Sequence, residues 1–196
     1  MRMSFPRVLR LFLLFVLCAG LQTRALRAQQ TTEPLVNDDF IQKQFGSNCK
    51  QTGMPAIKAD LDGDGIEDIV IPAHCTNPMM DQAEDNYVVI DPYNAFFGYG
   101  NPKVTTQFAS DDPERRGFAL LVIHGAGPDT WHSATPKAKF MIINLPFKDI
   151  YVKKFVVRKK DRLAIYVEET GVGAMTSVLV WDGKKYRYQP MGSTME

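Results

Sequence analysis

Histidine is scarce in this chain: there are three, His74, His124 and His132. None lies in a His-Glu-x-x-His frame, and although His74 adjoins Cys75 no histidine stands at zinc-ligand spacing from the cysteines, which argues against a zinc enzyme. No serine stands in a Gly-x-Ser-x-Gly frame; Ser47, Ser110, Ser133, Ser177 and Ser193 all miss it. A serine hydrolase of the α/β type is therefore not expected. No apolar run reaches the roughly 20 residues that a membrane-crossing helix needs. No segment repeats and no tract is of low complexity, so a solenoid or array is not expected either.

What is present begins with Arg2, Arg7 and Arg10 ahead of the apolar run Leu11–Leu21 (LFLLFVLCAGL). A basic start followed by a short apolar core predicts a secretory signal peptide over 1–28, cleaved after Ala28. If retained, the same segment would serve as an anchor. The five arginines of this leader hide the character of the rest. Beyond residue 28 there are 18 Lys and Arg against 22 Asp and Glu, a formal −4. A mildly acidic protein is a poor match for nucleic acid, which wants a basic face. The expected setting is secreted or periplasmic, with no membrane span once the leader is removed.

Residues 29–36 read as a loose polar stretch and 37–196 as one β-rich domain. Asn37-Asp38-Asp39 offers helix caps before Phe40, Ile41 and Phe45, and Gly46 follows as a stop. That predicts a short amphipathic helix over Asp38–Phe45. Strands are expected at Met54–Ala59, Asp68–Pro72, Tyr87–Ile90, Phe118–His124 and Lys139–Leu145. Two hairpins should follow. One joins Val152–Val157 to Leu163–Glu168. The other turns on Asp182-Gly183, the dipeptide of a type I′ turn. The expected fold is mainly β with a minor α part: an antiparallel sheet and a short N-terminal helix. Between strands run two long segments, Asp91–Gly117 and Gly125–Pro136, rich in proline, glycine and aromatic residues.

Two cysteines remain beyond the leader, Cys49 and Cys75. In an oxidising compartment an even pair predicts a disulfide, the alternative being two buried thiols. The register raises a difficulty. In a hairpin centred on Asp64 the two positions are offset, so bridging requires the chain to fold back near Gln51-Thr52-Gly53.

The densest chemistry is Asp60-Leu61-Asp62-Gly63-Asp64-Gly65-Ile66-Glu67-Asp68. Aspartates at positions 1, 3, 5 and 9, with glycine at 6, make an oxygen cage for a hard cation, calcium first. An EF-hand would place a glutamate at position 12, where Ile71 stands, and a helix where a strand is expected. Ala59–Pro72 (ADLDGDGIEDIVIP) instead resembles the calcium loop of FG-GAP and VCBS repeats, the modules of integrin-type propellers. The resemblance implies a blade-like strand–loop–strand hairpin with ligands from Asp60, Asp62, Asp64 and Asp68 and the Ile66 carbonyl, and Glu67 facing solvent or adding charge. One copy in a chain this short cannot make a propeller of 4–8 blades.

Other signals are weaker. Leu121–Gly127 ends an apolar strand in His-Gly-x-Gly, the pattern of an oxyanion-hole strand. Asp81, Glu84 and Asp85 could complete the calcium site from a neighbouring turn. Tyr186 and Tyr188 share one strand face, either to stack on a sugar or to pack across strands. Together these predict a calcium-stabilised binding or structural module with a protein or glycan partner held on the long aromatic loops. The alternative is an envelope hydrolase using His and Asp residues of the 81–132 region.

Overall fold

Apolar residues fall on both faces of the central strands, and this decides the architecture. In the computed structural model, which describes residues 36–91, 117–157, 159–171 and 175–192, ten strands form two sheets and one helix packs beside them. The expected leader, nearly all of 29–36 and most of Asp91–Gly117 lie outside those residues.

The helix α1 is Asp38–Phe45. Asn37 caps it by accepting a hydrogen bond from the Phe40 N–H at 2.9 Å. At its other end Gly46 adopts φ 82°, a conformation that only glycine takes cheaply. The strands are β1 (Cys49–Gln51), β2 (Ile57–Ala59), β3 (Asp68–Cys75), β4 (Val88–Ile90), β5 (Phe118–His124), β6 (Ala138–Ile143), β7 (Phe147–Val157), β8 (Lys160–Glu169), β9 (Thr176–Trp181) and β10 (Tyr186–Pro190). The first six make one sheet in the order β1-β3-β5-β6-β4, with β2 also on β3. The last four make a meander, β10-β9-β8-β7.

Ile69, Ile71, Leu121, Ile123, Met141 and Ile143 pack with Ile41 and Phe45 of α1. Their neighbours Val70, Leu120, Val122, Phe140 and Ile142 pack with Ile165, Leu179 and Tyr186 of the second sheet. The six-stranded sheet is thus a middle layer, covered by the helix on one side and by the meander on the other. Strands buried on both faces read as unbroken apolar runs, and FALLVIH (β5) is one.

The structure corrects several expectations. The second predicted strand does not stop at Pro72 but runs on to Cys75. Proline is tolerated there because the ladder is interrupted on one side. The Pro72 carbonyl accepts from Thr52 N–H at 3.1 Å, so its missing N–H faces the gap between β1 and β2, and no β3–β5 bond is lost. β4 pairs parallel to β6, an exception in an otherwise antiparallel sheet. The last hairpin closes at Trp181↔Tyr186, so its loop is Asp182–Lys185 rather than two residues. The Asp182 carboxylate accepts from the N–H groups of Lys184 and Lys185 at 2.9 and 3.0 Å and sets that longer turn.

Cys49 and Cys75 are directly opposed across β1 and β3 and form a disulfide. The expected register difficulty is resolved where it arose. From Gln51 to Ile57 the chain takes six steps while its partner strand takes three, from Ala73 to Val70. Thr52–Ala56, with Gly53 at φ 85°, absorbs the extra three.

Candidate metal centre

The hairpin β2–β3 closes with Ala59 opposite Asp68, so residues 60–67 form its loop. Short carboxylates wind that loop by accepting its own N–H groups. Asp60 Oδ1 takes Gly63 and Asp64, at 2.8 and 3.1 Å, and its Oδ2 takes Gly65 at 2.9 Å. Asp62 Oδ1 takes Asp64 N–H at 3.2 Å, and Asp64 Oδ1 takes Ile66 N–H at 2.9 Å. Gly63 and Gly65 adopt φ 79° and 84°, which a side chain would resist.

Asp68 is 1% exposed. Its Oδ2 accepts from Leu61 and Asp62 N–H, at 2.8 and 3.3 Å, and its Oδ1 from Gly125 N–H at 2.8 Å. Burial pushes its carboxyl up to about 6, against the pull of these donors. Gly125 is required there. A Cβ on it would sit 2.4 Å from the Glu67 carbonyl oxygen and 2.9 Å from the Thr130 carbonyl carbon. The His-Gly-x-Gly pattern is therefore an anion cradle of a different kind: its N–H serves the protein's own carboxylate. Gly125→Ala is expected to cost about 2 kcal/mol, the scale of forced overpacking, read as a lower midpoint in denaturant unfolding; an unchanged midpoint would show that the loop moves aside freely.

Oxygens of Asp60, Asp62 and Asp68 lie within 4.8 Å of one another. This cluster of aspartates could hold a metal ion. Each carboxylate has about four lone-pair directions, and the hydrogen bonds above leave at least one on each aspartate. An all-oxygen donor set suits a hard cation. Asp64 stands apart from the trio and its Oδ2 meets Lys137. Ile66 contributes an N–H to the turn, and its side chain abuts Gly125. Glu67 is exposed as expected but also accepts from Trp131 Nε1 at 3.1 Å.

Two residues at the site were not singled out from the sequence as its partners. Lys137 Nζ lies 2.6 Å from both Asp62 Oδ2 and Asp64 Oδ2. These hydrogen bonds hold its ammonium well above the usual lysine range and hold the Asp64 carboxyl below its own. His124, at the end of β5, is fully buried. Its Nε2 is 2.7 Å from the Tyr186 hydroxyl. Its Nδ1 makes no hydrogen bond and faces Asp62 Oδ2 at 3.4 Å. Burial pulls His124 down to about 4, the Asp62 charge opposing, and burial raises Tyr186 well above its ordinary value. Both are neutral near pH 7. If Tyr186 donates to Nε2, the imidazole proton sits on Nδ1 and points at Asp62, which satisfies both buried groups. These contacts join residues more than 60 positions apart, beyond the reach of any local sequence pattern.

The remaining candidates lie elsewhere. Asp81 accepts from Asn48 Nδ2 at 2.7 Å and packs against Gly46. The second acidic cluster thus begins at the end of α1, and Asp81 does not complete the loop. Tyr186 and Tyr188 are 2% and 5% exposed, so they pack between the sheets instead of presenting a sugar platform. In the second long segment, Gly127–His132 is a 3-10 turn. Trp131 in that turn is buried against Phe40, so it offers no binding surface. His132 stacks on Trp131, with ring centroids 3.5 Å apart, and His74 rests on Phe118. Compared with family models, curated proteins and solved structures, the chain matches none.

Proposed function

We propose that the 60–68 loop binds one calcium ion, and that the chain is a calcium-stabilised binding or structural module of an oxidising, extracytoplasmic compartment. The observation that carries this reading is the convergence of Asp60, Asp62 and Asp68, with oxygens within 4.8 Å of one another. Spacing within Ala59–Pro72 and its likeness to FG-GAP and VCBS loops support calcium over other hard cations, and the large, flexible calcium shell tolerates such a loop better than magnesium's rigid octahedron does. The disulfide supports the compartment. Among the described residues no helix is long and apolar enough to cross a membrane.

A hydrolase built on the 81–132 region is the weaker reading. His124 has no exposed surface from which to meet a substrate, and His132 lies flat on a buried tryptophan. Calorimetric titration with calcium tests the proposal: one-to-one binding is expected, with a dissociation constant on the order of 10⁻⁴ M, and no heat at millimolar calcium would refute it. Lys137 sharpens the test. Its ammonium neutralises Asp62, one of the carboxylates that calcium would use, so it competes. Lys137→Met is expected to bind calcium about tenfold more tightly, some 1.4 kcal/mol, while melting at a lower temperature without calcium. Equal affinity in both proteins would show that the lysine is a bystander.

A further inference from the structure

Charge is sorted between the two halves of this chain. Residues 29–146 carry eight Lys and Arg against sixteen Asp and Glu, a net −8. Residues 147–190, the four-stranded sheet, carry ten against five, a net +5. The β7–β8 and β9–β10 turns lie at the same end of that sheet, because its strands alternate in direction. Most of the excess gathers there.

A groove of about 1050 Å³ opens at that end, with Lys160, Arg162 and Arg187 among its lining residues. The three are not equivalent. Arg187 is fixed: its Nε donates to Asp182, which is itself held by two backbone N–H groups. That leaves both terminal nitrogens of the guanidinium for a ligand. The side chains of Lys160 and Arg162 form no ion pair or hydrogen bond among the described residues. Val180, on the strand between β8 and β10, and Val157, on β7 beside Lys160, add apolar lining, and Gln189 adds an amide.

Spacing indicates what would fit. Lys160 and Arg162 share one strand face about 7 Å apart along β8, and Arg187 stands two strands away, roughly 10 Å across the sheet. Charges spread in this way match a chain bearing anions at intervals better than one compact phosphate. An open groove with a small apolar floor suits a flat sugar ring, whereas a docked peptide helix needs deep pockets for its apolar side chains. On the same outer face Tyr151 and Tyr166 stack at 5.1 Å and are only half-buried, extending the surface with an aromatic platform. We propose that this end of the four-stranded sheet binds an acidic polysaccharide, its carboxylates on Lys160, Arg162 and Arg187.

The proposal does not depend on the calcium loop, and its test separates the two. The full chain is titrated with labelled hyaluronan oligosaccharides by fluorescence anisotropy, at low and at high salt, beside neutral dextran and a single-stranded oligonucleotide. Saturable binding to hyaluronan is expected. It should weaken at least tenfold at high salt, and at least tenfold in Arg162→Ala and in Lys160→Glu, both exposed positions whose melting temperatures should not change. Asp62→Ala should bind as the wild type does. No binding to hyaluronan at low salt overturns the proposal. So does equal binding to dextran, tighter binding to the oligonucleotide, or full affinity in both groove variants.

Discussion

Replacing Cys49 and Cys75 together by alanine is expected to lower stability by about 3.5 kcal/mol, the chain-entropy value for closing a loop of this length. The two residues lie 26 positions apart. Within that loop fall β2, the acidic turn and almost all of β3, so the bond restricts the unfolded chain across the region that forms the candidate metal centre. In a folded unit of this size the loss corresponds to a fall in melting temperature of roughly 7–14 °C. Alanine is the better replacement because both positions are buried, and a serine hydroxyl there would add a desolvation cost of its own. The wild type in strong reductant should approach the double variant. A fall below about 1 kcal/mol would mean that the unfolded chain keeps these strands together without the bond.

Calcium is expected to raise the melting temperature of the wild type by roughly 5–10 °C at 10 mM, and Asp62→Ala to abolish that rise. The magnitude follows from mass action: ligand at about a hundred times its dissociation constant adds about 2.7 kcal/mol. Asp62 is the informative position because its carboxylate meets the backbone of the loop, the Lys137 ammonium and the His124 imidazole at once. Without calcium the variant loses one lysine contact, but Lys137 keeps Asp64, so it should still fold. Differential scanning with calcium, with magnesium and with chelator reads the effect. A wild type that melts alike in calcium and in chelator would remove the metal reading altogether.

The sequence was most legible where chemistry is local. Asn37 and Gly46 bound α1 as their caps suggest, because capping involves residues three or four apart. The acidic turn and the strand after it are likewise written in consecutive residues. FALLVIH reads as a central strand or buried segment, although nothing in it says what covers either face. The rest depends on partners distant in the chain. The meander packs on the sheet through Tyr186, Leu179 and Ile165, whose apolar spacing looks the same for a two-layer or a three-layer fold. Lys137 was one lysine among several until the fold placed it against Asp62. Asp182-Gly183 misled in detail, since a short carboxylate that caps a turn can override the turn type its dipeptide favours. His-Gly-x-Gly misled in role: the backbone donor is real, and its anion belongs to the protein.

One strand now looks different from the others. β3 is covalently tied to β1 at Cys75, and at its opposite end Asp68 is knotted to Leu61, Asp62 and Gly125 through three backbone donors. Strands usually come apart from a free end, like a zipper, and this one has none. Solvent, or a protease reading extended backbone, would reach its middle residues only when the whole sheet opens. The places where the chain can be entered lie at its periphery, and the centre is sealed by its two fastenings.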